Sequence, residues 1–129
     1  MRLFHRFLLV GCLLSSSHVM AASNLGKSYD LCMDNSNGVT TRMIECISTE
    51  HQRQDGLLNQ NYQKRMADLS NDRKTKLRDV QRKWIAYRDA NCQFYADPDG
   101  GSLARVEANA CMLRMTAARA EELLQSATQ

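Results

Sequence analysis

Leu103, Val106, Ala110, Leu113, Ala117, Ala120 and Leu124 recur at intervals of three and four residues. An apolar set with that period shares one face of an α-helix and no face of a strand, where the period is two. The same period runs through two earlier stretches. Between Thr41 and Leu69 it passes through Ile44, Ile47, His51, Gln54, Leu58, Tyr62, Met66 and Leu69. His51 and Gln54 are the polar breaks in that stripe, and Gly56 weakens it locally. Between Asp72 and Tyr95 it passes through Leu77, Val80, Trp84, Tyr87, Asn91 and Phe94, which on this period face inward. No stretch alternates with period two. The expected fold is all-α, a small antiparallel bundle of three main helices within residues 41–129.

Punctuation residues agree with these limits. Thr40 or Thr41 is placed to cap the first long helix. Ser70-Asn71-Asp72 reads as a break followed by a new cap. Asp97-Pro98-Asp99-Gly100-Gly101 is the clearest turn in the chain, and Ser102 follows it as a cap for the last helix. Residues 22–40 are polar with scattered anchors at Leu25, Tyr29, Leu31 and Met33, and are expected to wrap the bundle irregularly.

The first residues read as a leader. Arg2 and Arg6 precede an apolar run from Phe7 to Leu14, and Val19-Met20-Ala21-Ala22 offers a small-residue cleavage site. The run is too short to span a bilayer, which takes about 20 residues, and no later segment is apolar enough to be a transmembrane helix. Removal of the first 21 of 129 residues leaves 108 and lowers the formal charge from +3 to +1. The alternative is a lipoprotein anchored at Cys12, since Leu9-Val10-Gly11-Cys12 resembles a lipobox. Simple cleavage fits the segment lengths better and points to the periplasm.

A charge of +1 says little about partners, and no Lys/Arg cluster argues for nucleic acid. The basic stretch Lys74, Lys76, Arg78, Arg82 and Lys83 is interrupted by Asp72 and Asp79 and reads as a solvated helix face. The remaining cysteines are Cys32, Cys46, Cys92 and Cys111. Their spacings contain no C-x-x-C and no nearby histidine, so disulfides fit better than zinc. Four cysteines admit three connectivities. Cys32–Cys46 with Cys92–Cys111 is preferred, because the first ties the N-terminal segment to a helix and the second crosses a helical hairpin. Each bridge is worth roughly 3 kcal/mol in the chain-entropy view.

Little catalytic chemistry is available. His51 is the one histidine beyond the leader, with Glu50 and Asp55 near it, and no nucleophile accompanies it. It reads as a half-buried helix histidine. The methionines, including Met112 and Met115, form no soft-metal cluster and read as packing. No metal or cofactor is expected. The densest segment runs from Gln81 to Cys92. There Trp84 and Arg88 are one turn apart, so the guanidinium can stack on the indole. Arg88 can also pair with an acid on another helix, such as Asp55.

Asp55-x-x-Leu58-Asn59-x-x-Tyr62, followed by Gln81-Arg82-x-Trp84-Ile85-x-Tyr87-Arg88-Asp89-Ala90-x-Cys92, resembles the LprI family of exported bacterial proteins, the lysozyme-inhibitor LprI N-terminal-like domain. Gly101-Ser102, Cys111 and Thr116-x-x-Arg119-x-x-Glu122-Leu123 resemble its C-terminal part. Cys32 and Cys46 fall where the family places its first cysteine pair. The resemblance spans residues 32–124. It implies a helical, disulfide-containing envelope protein that inhibits lysozyme by binding, not by catalysis. Its recurring residues, Asp55, Leu58, Asn59, Tyr62, Gln81, Trp84, Tyr87, Arg88 and Arg119, read as fold determinants. The candidate binding element is the acidic turn, Asp97, Asp99, Gly100, Gly101 and Ser102, at the exposed end of a hairpin braced by Cys92–Cys111. The expected partner is lysozyme or another envelope protein, and the chain is taken as a monomer by default.

Overall fold

A computed structural model describes residues 25–125. The leader expected at residues 1–21, and Cys12 with it, lies outside the described residues. Four helices follow in order: α1 Lys27–Asn35, α2 Thr40–Ala67, α3 Asn71–Phe94 and α4 Gly101–Gln125. No strand occurs among the described residues. The three long helices expected from the periodicity are α2, α3 and α4.

The segment expected to be irregular contains α1. The reason lies in its anchors. Leu25, Tyr29 and Met33 are four residues apart, the spacing of one helical face, and all three pack against the core formed by Ile47, Val106 and Leu113. Leu31, off that face, is exposed. The α1–α2 turn uses Asn37 and Gly38, both with positive φ (50° and 73°). Asparagine and glycine tolerate that region best.

The helix caps differ from expectation. α2 starts one residue early, so Val39 holds the cap position and no side chain bonds there. Ser102 lies inside α4, because Gly101, at φ +65°, already begins the helix. The break at Ser70 stands, with Ser70 extended at ψ 161° before α3.

Packing gives α4 the central place. Along α2 and α4 the contacts advance together: Ile47 packs with Leu113, His51 bonds Thr116, and Leu58 packs with Ala120 and Leu123. These two helices are therefore parallel. α3 joins them and runs the opposite way, since Gln81 meets Arg119 and Cys92 meets Cys111. The buried face of α4 carries Ala117 and Ala120, small residues that let the α2 backbone approach closely. Leu103 and Leu124, at the two ends of the expected stripe, are exposed.

Two disulfides brace opposite parts of the fold. Cys32–Cys46 fastens α1 to α2, and Cys92–Cys111 fastens α3 to α4. Met115 Sδ lies 3.7 and 3.9 Å from the two sulfurs of the second bridge.

Glu50 fastens the start of the described chain. Its side chain is 3% exposed, and Oε1 accepts from the Gly26 N–H at 3.0 Å and from Gln54 Nε2 at 2.9 Å. Arg53 grips both oxygens, through Nε at 2.9 Å and Nη2 at 2.6 Å. The Arg53 guanidinium is the main reason the carboxyl titrates at about 2, below its ordinary 4.5. A depressed carboxylate pKa stabilises the fold above the unfolded value, and that contribution is lost as pH falls through the folded value. Glu50→Gln is expected to cost on the order of 3 kcal/mol at pH 7. Urea unfolding at several pH values checks this: the gap between the two chains should close as pH falls from 4.5 towards 2.

Candidate functional site

Two surfaces combine chemistry with exposure: the tip of the α3–α4 hairpin, and a groove between α2 and α3. The tip is the sequence-predicted turn. Asp97 Oδ1 accepts from the Asp99 N–H at 2.9 Å, and the Asp97 carbonyl accepts from the Gly100 N–H at 3.1 Å. One oxygen of Asp97 thus shapes the turn, while both acids stay exposed. The glycines have separate reasons to be there. A Cβ on Gly100 would lie 2.7 Å from Ala104 Cβ, and Gly101 holds its positive φ. Beside the turn, Phe94 is 81% exposed and stands edge-on to Tyr95 at 5.7 Å. Phe94, Tyr95, Asp97 and Pro98 line one shallow depression. The helical period placed Phe94 on an inward stripe. It is outside because Cys92 faces α4 through its bridge to Cys111, and a residue two positions on lies about 200° around the helix from it.

The same correction applies along α3. Val80 and Tyr87 are exposed, Tyr87 at 61%, whereas Leu77, Trp84 and Asn91 are half-buried. Among the described residues α3 packs closely on α4 alone, so a narrow stripe suffices to seat it.

The groove between α2 and α3 measures about 390 Å³ and gathers residues far apart in sequence. Asp55, Leu58, Asn59 and Tyr62 come from α2, and Gln81, Trp84 and Arg88 from α3. Seven of the nine recurring residues therefore line one groove; Tyr87 and Arg119 lie off it. Asn59 Nδ2 donates to Asp55 Oδ2 at 3.2 Å. Arg119, buried on α4, donates through Nε to Gln81 Oε1 at 3.1 Å and pairs with Glu122 at 2.8 Å. Trp84 carries two cations, Arg88 at 5.1 Å and Arg119 at 5.9 Å from the ring centroid. The stacking of Arg88 on Trp84 is as expected. Its ion pair is not: Arg88 binds Asp89 at 2.8 Å, not Asp55. Asp89 is its chain neighbour, so that pairing needs no reach across the groove. Arg78 and Arg82 also line the groove, which a reading of them as a merely solvated face overlooked. Only the helix-to-helix arrangement reveals it.

Beneath the groove the core turns polar. Thr116 is fully buried on α4. Its Oγ1 lies 3.1 Å from His51 Nε2 on α2 and accepts from Arg88 Nη1 on α3 at 3.4 Å. Burial, followed by the nearby Arg88 charge, holds His51 below its ordinary 6.5. His51 is half-buried, as expected, and the one hydroxyl it meets among the described residues, Thr116 Oγ1, is itself fully buried. Among the described residues, no group of three His, Cys, Asp or Glu side chains converges as a metal site would, and no helix is long and apolar enough to cross a membrane.

Two outcomes follow for this polar layer. Thr116→Val removes the buried hydroxyl that both His51 and Arg88 meet, and is expected to cost about 1–3 kcal/mol in urea unfolding. A histidine held low in the fold protonates first when unfolded, so stability falls as pH drops below 6.5. His51→Gln should flatten that part of the stability profile.

The chain matches the family described as lysozyme inhibitor LprI over residues 32–123. That span includes both disulfides, the groove and the hairpin tip. Comparison with curated proteins found no match, and neither did comparison with solved structures. On the family match, this chain belongs to the lysozyme inhibitor LprI family.

Proposed function

We propose that this protein is exported to the periplasm, with residues 1–21 as its leader, and there binds and blocks a lysozyme-type muramidase. It acts by occupation, not by turnover. Family membership supports the class of activity. The observation that carries the choice of surface is the hairpin tip, where two exposed acids and two aromatic rings stand on a disulfide-braced turn. Muramidases cut glycans with a pair of carboxylates in a cleft, and a projecting turn can enter a cleft where a flat helix face cannot. Exposed aromatic side chains supply the anchors that dominate protein interfaces. The Cys92–Cys111 bridge holds the turn in one shape and so lowers the ordering cost of binding. With a charge of only +1 on the chain without its leader, recognition rests on local fit, not on long-range steering.

A second reading has its own observation. Val80 and Tyr87, seven residues apart on α3, are exposed on one helix face, a face suited to another envelope protein or a toxin. Capture from a periplasmic extract would identify such a partner.

The deciding experiment is a lysis assay with oxidised residues 22–129 titrated against several lysozyme classes, beside a reduced sample. Saturable inhibition, lost on reduction, is expected. Asp97→Ala combined with Asp99→Ala should weaken it roughly ten-fold or more, as loss of charge-assisted bonds does. Undiminished inhibition by that variant would remove the tip from the mechanism. No inhibition of any class by folded protein would remove the muramidase reading for those classes.

A further inference from the structure

The groove between α2 and α3 has more recognition chemistry than the fold consumes. Arg82 has no hydrogen-bond or ion-pair partner among the described residues, and Arg78 donates only to Thr75 Oγ1, at 3.1 Å. They are one turn apart on α3 and both line the groove. Three other basic side chains of α3 are neutralised, Lys76 by Asp72, Lys83 by Asp79 and Arg88 by Asp89, and Lys74 does not line the groove. Two guanidinium groups thus face a groove that holds one carboxylate, Asp55, and Asp55 accepts only from Asn59. The amide nitrogen of Gln81 and the Tyr62 hydroxyl make no hydrogen bond within the described residues. Tyr62 and Trp84 supply apolar wall.

This set fits one ligand chemistry. Paired guanidiniums bind a carboxylate. Asp55 is of no use to a bare anion, because it repels one; it needs a ligand that also donates O–H or N–H groups. The free amide of Gln81 and the Asn59 side chain suit an acetamido group or ring hydroxyls, and the aromatic walls suit the apolar face of a sugar ring. A groove of about 390 Å³ falls within the usual small-ligand range of roughly 300–1,000 Å³. We propose that the α2–α3 groove binds a saccharide bearing a carboxylate, with Arg78 and Arg82 on the acid and Asp55, Asn59 and Gln81 on the hydroxyl and amide groups. The site is separate from the hairpin tip and stands or falls independently of the inhibitor reading.

Trp84 is the one tryptophan in the chain and lines the groove, so its fluorescence reads occupancy directly. The full oxidised protein is titrated with N-acetylmuramic acid and with N-acetylglucosamine, which shares the ring and acetamido group but lacks the carboxylate. A saturable change with the acid, at least roughly ten-fold weaker with the neutral sugar, is expected. Arg78→Gln with Arg82→Gln should weaken the acid by a similar factor while leaving the thermal midpoint in place, since both side chains are exposed. Three results would overturn the proposal. One is no saturable change with the acid; another is equal binding of the two sugars; the third is a response confined to an acidic dipeptide, which would assign the groove to peptides.

Discussion

Thr116 is the point on which the three long helices converge. It sits on α4 with no exposed surface and shares one oxygen between His51 of α2 and Arg88 of α3. α4 makes the close contacts in this fold, and the polar layer at Thr116 registers the other two helices against it. Hydrogen bonding of this kind adds little net free energy when satisfied and costs heavily when one partner is missing. Its consequence here is specificity of register: a one-turn slip of α2 would take His51 off the Thr116 hydroxyl, and a slip of α3 would take Arg88 off it.

The apolar core is divided by that layer. On one side Ile47, Val106 and Leu113 pack with the anchors of α1; on the other, Leu58, Ala120 and Leu123 pack with Tyr62, Leu77 and Trp84. Neither half is large. A small domain buries too little apolar area to be secure on packing alone, and the covalent and ionic ties lie where packing is thinnest. Cys32–Cys46 and the Glu50–Arg53–Gly26 cluster hold α1, which has no fully buried residue of its own. Cys92–Cys111 holds the outer end of α3 just before the chain leaves the core.

That division of labour separates two kinds of surface. The hairpin tip is held by a disulfide and an Asx turn, and Phe94 beside it is largely exposed, with Tyr95 at its edge. The α2–α3 groove exists because α3 rests mainly on α4 and leaves α2 partly uncovered. Its walls are built by residues that also hold the fold: Leu58 in the core, Gln81 on Arg119, and Trp84 under two guanidiniums. A residue in this chain can therefore be structural on one side and available on the other.

The three long helices and their approximate limits were written in the sequence, because an apolar period of three and four, broken near Ser70 and between Asp97 and Gly100, leaves a chain no other regular way to bury its side chains. The pairing of near cysteines was also legible, because one pair ties the N-terminal segment to a helix and the other crosses a helical hairpin. The helical spacing of Leu25, Tyr29 and Met33 was present too, but in a polar segment too short for a periodic pattern to be distinguished from scatter. Only the tertiary structure decided which apolar residues are inside: Tyr87 and Phe94 carry the same period as Trp84, yet α3 has one close neighbour and can bury only a narrow stripe. It also decided that Arg88 pairs with Asp89 and that Asp55, Tyr62, Gln81 and Arg82 share a groove. Periodicity along one helix fixes a face; which helix covers that face depends on contacts between residues distant in the chain.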